Sequence, residues 1–180
     1  MAEHQTKAGR SCLCTRQPTT RYRTHPDVRA YLDRGERSIT PLDLCRRAAE
    51  DRRRHIAEEI APAIAAGTIV LCDRYVYSSI AFFEARGVAP DVAWSLNADV
   101  PTPHNVFLLD LDPKDARRRV VAREGGVKKF EEKDLDFMAN VRSAFLQHVP
   151  DSALVIDATQ SADEIFSQVL RATDSIVEPA

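Results

Sequence analysis

Four short apolar runs stand out from the charged background of this chain: Ser11–Thr15, Thr68–Cys72, Val106–Leu111 and Ala153–Ile156. Thr68–Cys72 is β-branched and apolar with no polar break, the pattern of a strand buried on both faces. Between the runs, apolar residues recur at helical spacing. Leu135, Met138, Val141, Phe145 and Val149 form one such stripe over Asp134–His148. Pro26–Arg34 reads as a helix stopped by Gly35, and Thr40-Pro41 opens a longer one with a capping residue and a proline at the first helical position. Pro62 should kink or interrupt that helix before Gly67 turns the chain into the next strand. Shorter helices follow over Asp91–Ala98 and Lys114–Arg123, and Ser161 with Glu164 makes a capping box for a last helix ending near Thr173. Strands alternating with helices imply one α/β domain with a parallel sheet flanked by helices on both faces.

The 180 residues suffice for one domain with a real core. A net charge of −2 gives no electrostatic case for nucleic acid or an anionic membrane. The apolar runs are too short to span a bilayer, and the polar N-terminus has no signal-peptide core. Cys12, Cys14, Cys45 and Cys72 lack metal-ligand spacing, and Cys12, Cys14 and Cys72 read as small core residues, a usage that suits a cytoplasmic location.

Candidate chemistry lies where strands end. Asp73-Arg74-Tyr75 follows the Thr68–Cys72 strand, and ligands of open parallel sheets sit beyond strand carboxyl ends. A carboxylate there can help hold a metal ion, and a guanidinium can grip a phosphate with two parallel donors. Ser78 and Ser79 are expected to open the next helix, whose N-terminus favours an anion. Pro18 forces a sharp exit from the first strand, where Arg16, Arg21 and Arg23 cluster. Arg46, Arg47, Arg52, Arg53 and Arg54 alternate with acids along the long helix. Most must be solvated, and the periodicity does not say which one or two point inward.

Taken in order, TRQPT, DRRRHIAEEIAPAIAAG, TIVLCDRYVYSSIAF, WSLN, VFLLDLDP, KKFEEKDLDFMANVRSAFL and VIDATQSADEI resemble the thymidylate kinase family of P-loop nucleoside monophosphate kinases, from about Gly9 to Thr173. The resemblance implies ATP-dependent phosphorylation of dTMP to dTDP with Mg2+. Asp73 would lie near the metal and the phosphates, Arg74 on the acceptor phosphate, and Arg52 on the base. Arg16, Gln17 and Pro18 match the turn against the acceptor, whose proline is often cis, while Ser79 and Phe82 match the pocket wall. Arg119 and Arg123 match the arginines at the start of a lid that approaches ATP, with Glu124–Lys133 as the lid-like loop and Arg123 counted with Asp73 and Arg74 as catalytic. The family is commonly dimeric, so a homodimer is a possible assembly. Three positions depart from the family pattern: Ala48 replaces the aromatic that stacks on the base, Phe83 a glutamine, and Gln17 a glutamate.

Such kinases begin with a strand and a GxxxxGK[ST] loop that cradles the ATP phosphates. No such motif occurs in this sequence. The expectation is therefore a fold without its first, central strand and without that loop, through a misplaced start codon or a broken gene. Such a polypeptide should be marginally stable and should not transfer phosphate. Two alternatives stay open: a related kinase acting on another monophosphate, and a non-catalytic nucleotide-binding or regulatory relative.

Overall fold

The computed structural model describes residue 1 and residues 9–125 and 131–177. Strand β1 (Cys12–Arg16) leads through helix α1 (Thr20–Arg23) to α2 (Pro26–Arg34) and α3 (Pro41–His55). A π-helical turn (Ile56–Ile60) joins α3 to α4 (Ala61–Ala65), which precedes β2 (Ile69–Asp73). Helices α5 (Val76–Ala85) and α6 (Pro90–Ser95), strand β3 (Phe107–Asp110) and helix α7 (Pro113–Glu124) follow. A 3-10 turn (Glu131–Lys133), helix α8 (Leu135–His148), strand β4 (Leu154–Asp157) and helix α9 (Ala162–Val177) complete the order. Residues 126–130, the middle of the expected lid-like loop, lie outside the described residues, as do residues 2–8.

The helix boundaries follow local chemistry. The Thr40 hydroxyl accepts from the Asp43 amide at 3.1 Å, and Gly35 ends α2 at φ 70, a left-handed conformation that costs glycine little. The Ser161 amide donates to Glu164 at 2.9 Å and the Glu164 amide to the Ser161 hydroxyl at 3.3 Å, completing the capping box. The long helix widens into the π-turn immediately before Pro62, which has no amide hydrogen for its turn of the helix.

The strands form an α/β arrangement of short parallel ladders flanked by helices, but not one continuous sheet. β1 pairs with β2, from Cys12 against Ile69 to Arg16 against Asp73, and β3 pairs separately with β4. This division corrects two expectations. No residue of β2 is fully buried, because among the described residues β2 has a ladder partner on one edge only. Cys14 is exposed and Cys12 and Cys72 are half-buried, so of the four thiols only Cys45 sits in the core.

That core lies among the helices. Val28 and Tyr31 of α2, Leu44, Cys45 and Ala48 of α3, and Val76, Ile80 and Phe83 of α5 form one buried cluster. Helix α5 packs chiefly on α8, where Phe82 meets Phe145 edge-on at 6.2 Å and Phe137 at 6.3 Å. The result is a packed helical layer that carries the helices next to the ends of β1 and β2.

Candidate functional site

The parallel register of β1 and β2 places Arg16 directly opposite Asp73. Their side chains meet at 3.1 Å on the exposed rim, with the Asp73 carboxylate 61% accessible. One residue on, the Gln17 amide donates to the Asp73 carbonyl at 2.9 Å, extending the pairing past the strand end. The Gln17–Pro18 peptide is cis. Beyond it, the Thr19 amide and hydroxyl both donate to the buried Asp51 of α3, at 2.8 and 2.5 Å. The turn is thus bolted to the helix.

Three guanidinium groups gather around this turn. Arg23 donates to the Pro18 carbonyl at 2.7 Å and to the Gln17 carbonyl at 3.4 Å. Burial lowers its pKa first, and the charge of Arg16 lowers it further. Arg74 is lowered likewise, first by the groups crowding its guanidinium and then by the charge of Arg23, although much of its surface stays open to solvent. Among the described residues Arg74 forms no salt bridge. It donates to the Ser78 hydroxyl at 3.4 Å and lies 4.6 Å from the Phe82 ring centre. Its backbone sits at φ 67, the one non-glycine positive φ among the described residues, and such outliers tend to mark functional sites. The turn thus gathers three guanidinium groups, of which Asp73 pairs directly with Arg16.

Arg52 stands behind them. Of the arginines on α3 it is the one turned inward, at 2% exposure, with Asp51 and His55 buried beside it. Its Nε donates to Gln17 Oε1 at 2.7 Å, Nη2 to the Ser79 hydroxyl at 2.5 Å, and Nη1 to Asn97 Oδ1. The Tyr75 ring lies 5.8 Å from its guanidinium carbon. Every ligand is neutral, so burial dominates and pushes the pKa down to about 10, still charged near neutral pH. A planar fork held by three side-chain oxygens is fixed in orientation.

The sequence-predicted residues fall into two groups. Arg16, Gln17, Pro18, Arg52, Asp73, Arg74, Ser79 and Phe82 converge on the ends of β1 and β2 and the start of α5. Arg119 and Arg123 stand on exposed turns of α7 and do not join that group. One expectation is corrected: Ser78 and Ser79 do not open α5. The helix begins at Val76 with Tyr75 at the cap and no side-chain capping bond, which leaves both hydroxyls facing arginines instead. Two residues had no role in the sequence reading, and a third only a loose one. Asn97 lies in a short turn with no periodic signal, and His55 hides in an arginine-rich run, three residues beyond Arg52 on the same helical face. Arg23 was legible only as part of a basic loop.

Metal-binding capacity is limited. Among the described residues no cluster of three or more His, Cys, Asp or Glu side chains is arranged to hold an ion. At the end of β2 Asp73 offers an exposed carboxylate, with one oxygen held by Arg16. A single carboxylate fits Mg2+, which commonly takes one or two from protein and the rest from water and phosphate.

Comparison with known proteins supplies the family. The thymidylate kinase family model matches residues 1–169. A probable thymidylate kinase of Pyrobaculum calidifontis is 40% identical over 123 residues, 68% of this chain and 62% of that protein. One of Archaeoglobus fulgidus, also named probable thymidylate kinase, is 32% identical over 143 residues, 79% of this chain and 71% of its own. A thymidylate kinase of a Geobacillus species is 35% identical over 138 residues, covering 72% and 66%. The chain thus spans only about 60–71% of the length of the first relatives it matches. A family match over nearly the whole chain, on a parallel α/β scaffold with an arginine cluster at its strand ends, identifies this chain as a member of the thymidylate kinase family.

Proposed function

We propose that the ends of β1 and β2 form the acceptor side of a dTMP kinase, which transfers the γ-phosphoryl group of ATP to dTMP. The observation that carries this reading is the pairing of two cationic layers. Arg74 and Arg23 stand at the rim, and Arg52 is fixed behind them on Gln17, Ser79 and Asn97. An anion meets the rim, and a planar polar group meets the fork.

In this reading Arg74 receives the acceptor phosphate, with Arg23 and Arg16 adding positive charge. Arg52 has five N–H groups and uses three on protein oxygens, so two remain for a base carbonyl. Phe82 walls the site beneath Arg74. Positioning and charge neutralisation are what phosphoryl transfer asks of a protein. Asp73 would hold Mg2+, which neutralises developing charge on phosphate oxygens when bound. Glu124–Lys133 would serve as a lid, entered through Arg119 and Arg123 and excluding water once closed.

Two finer points belong to the same proposal. The 180 residues contain no GxxxxGK[ST] loop, so this polypeptide should bind an acceptor monophosphate without measurable transfer from ATP. A second reading, another monophosphate as acceptor, is favoured by Ala48 and Phe83. Both are buried in the core cluster, so neither offers the pocket a stacking ring or an amide.

The test is calorimetric titration of the chain with dTMP, dUMP, AMP and GMP, beside a coupled ATP assay. Preference for dTMP of at least roughly tenfold, with affinity for every monophosphate falling about tenfold on Arg74→Met, supports the reading, because one charge-assisted hydrogen bond to the shared phosphate is worth about that much. Tighter binding of a purine monophosphate moves the assignment to the second reading. No binding of any monophosphate refutes both, and turnover of ATP refutes the expectation of inactivity.

A further inference from the structure

The contacts of Arg52 have a second layer that the acceptor site does not itself explain. Gln17 is 1% exposed, and its side-chain amide is shared between two neighbours. Oε1 accepts from Arg52 Nε at 2.7 Å, while Nε2 lies 3.1 Å from Nδ1 of the buried His55. Arginine has no acceptor, so the oxygen of Gln17 must face Arg52 and the nitrogen must face His55. The Gln17 nitrogen can only donate. Nδ1 of His55 must therefore accept and carry no proton, which leaves the ring proton of a neutral imidazole on Nε2. That nitrogen meets partners able to accept it: the Thr15 hydroxyl at 2.8 Å and the Glu59 carboxylate at 3.3 Å.

We infer that His55, neutral and protonated on Nε2, is a positioning residue that fixes the Gln17 amide so that its oxygen holds Arg52 against Ser79 and Asn97. The inference rests on the acceptor-site reading for its consequence, but the relay itself stands on the hydrogen-bond geometry. A proton on Nδ1 would set two donors against each other. Gln17 would then have to turn its amide, presenting its nitrogen to Arg52 Nε and leaving a buried guanidinium facing another donor. The Glu59 carboxylate meets Nε2, and Gln17 stands between the ring and the Arg52 guanidinium. From the β1–β2 ladder, Thr15 faces the ring, and Cys72, paired with Thr15 in the register, directs its thiol to the Arg74 carbonyl. None of these supplies an acceptor for a proton at Nδ1.

The test is nitrogen NMR of the full chain labelled at histidine, with the His55 signal assigned by its loss in His55→Asn. Near neutral pH the expected spectrum shows an unprotonated Nδ1 and a protonated Nε2. A ring protonated on Nδ1 overturns the proposal. Gln17→Glu provides an independent arm, because a carboxylate accepts from both Arg52 and His55, so Nδ1 should then carry a proton. An unchanged His55 signal in that variant also overturns the proposal.

Binding supplies the functional readout. In His55→Asn the side-chain oxygen replaces Nδ1 as the acceptor, so dTMP affinity should stay within roughly threefold of wild type. His55→Ala should lose roughly tenfold, the scale of one buried hydrogen bond to a charged group. Equal losses in a folded Asn and a folded Ala variant would show a packing role and overturn the positioning claim. Failure of the wild-type chain to bind dTMP would refute the acceptor-site reading alone, since the tautomer is read without nucleotide.

Discussion

Replacing Glu131 by glutamine tests how the segment after residue 130 is held to the body of the protein. Arg86, just past the end of α5, donates through Nε and Nη2 to the two Glu131 carboxylate oxygens at 2.7 and 2.6 Å. The side chains are 8% and 13% exposed, and the guanidinium lies 5.0 Å from the Phe83 ring centre, 5.5 Å from Phe82 and 5.9 Å from Tyr31. Burial lowers the Arg86 pKa, but the hydrogen bonds and charge of Glu131 outweigh burial and raise it overall. Glu131→Gln keeps the shape while removing the charge and one acceptor, so a guanidinium stays buried among three rings without its counter-ion. Breaking a buried pair from one side costs about 3–5 kcal/mol, and the residual exposure puts this case near 3. For a chain of this size that is a fall in Tm of about 6–12 °C. The double variant Arg86→Met with Glu131→Leu should lose less than Glu131→Gln alone, because it leaves no orphaned charge. Urea unfolding of the three proteins measures both quantities. A Glu131→Gln protein within about 0.5 kcal/mol of wild type would refute the buried-pair account, since that is the size of an ordinary surface change.

Other expectations follow from single observations. At Arg74 the positive φ reverses the usual order of small residues: Arg74→Gly should be more stable than Arg74→Ala by about 1 kcal/mol, checked by denaturant melts. Asp110 is bound by both Nε and Nη2 of Arg142, at 2.6 and 2.7 Å, and hydrogen bonds from Arg142 hold its carboxyl below its ordinary value. A depressed folded-state pKa contributes stability above the ordinary carboxylate pKa of about 4, and that stability is lost as pH falls through the folded value. Wild type should therefore exceed Asp110→Asn in stability near neutral pH, with the gap closing in acid. A gap independent of pH would contradict the assignment.

Much of the fold was legible because its signals are local. Thr40-Pro41, Gly35 and the Ser161–Glu164 pair each act within one turn of helix, and each does in the structure what its chemistry dictates. The inward turn of Arg52 was not legible from pattern. Five arginines on one helix look alike until Ser79, Asn97 and Gln17, from three distant segments, select one of them. His55 was hidden for the same reason, its partners lying 38 and 40 positions away. Ser79 was legible as a site residue but not in its role: next to a strand end it reads as a cap, whereas the helix starts earlier and turns its hydroxyl to Arg52. The strand pattern showed that the strands run parallel but not which pair or that they divide into two ladders, because period and apolarity say nothing about which edges meet.

The central claim is that an acceptor nucleotide lies across the ends of β1 and β2, with its phosphate at the rim and its base at the fork. A crystal structure of the chain with dTMP tests it most directly. The account predicts phosphate oxygens within hydrogen-bond distance of Arg74, with Arg23 adjacent, and a base carbonyl facing Arg52 while its bonds to Gln17 and Ser79 persist. A nucleotide bound elsewhere, or bound here with its phosphate away from Arg74, would contradict it.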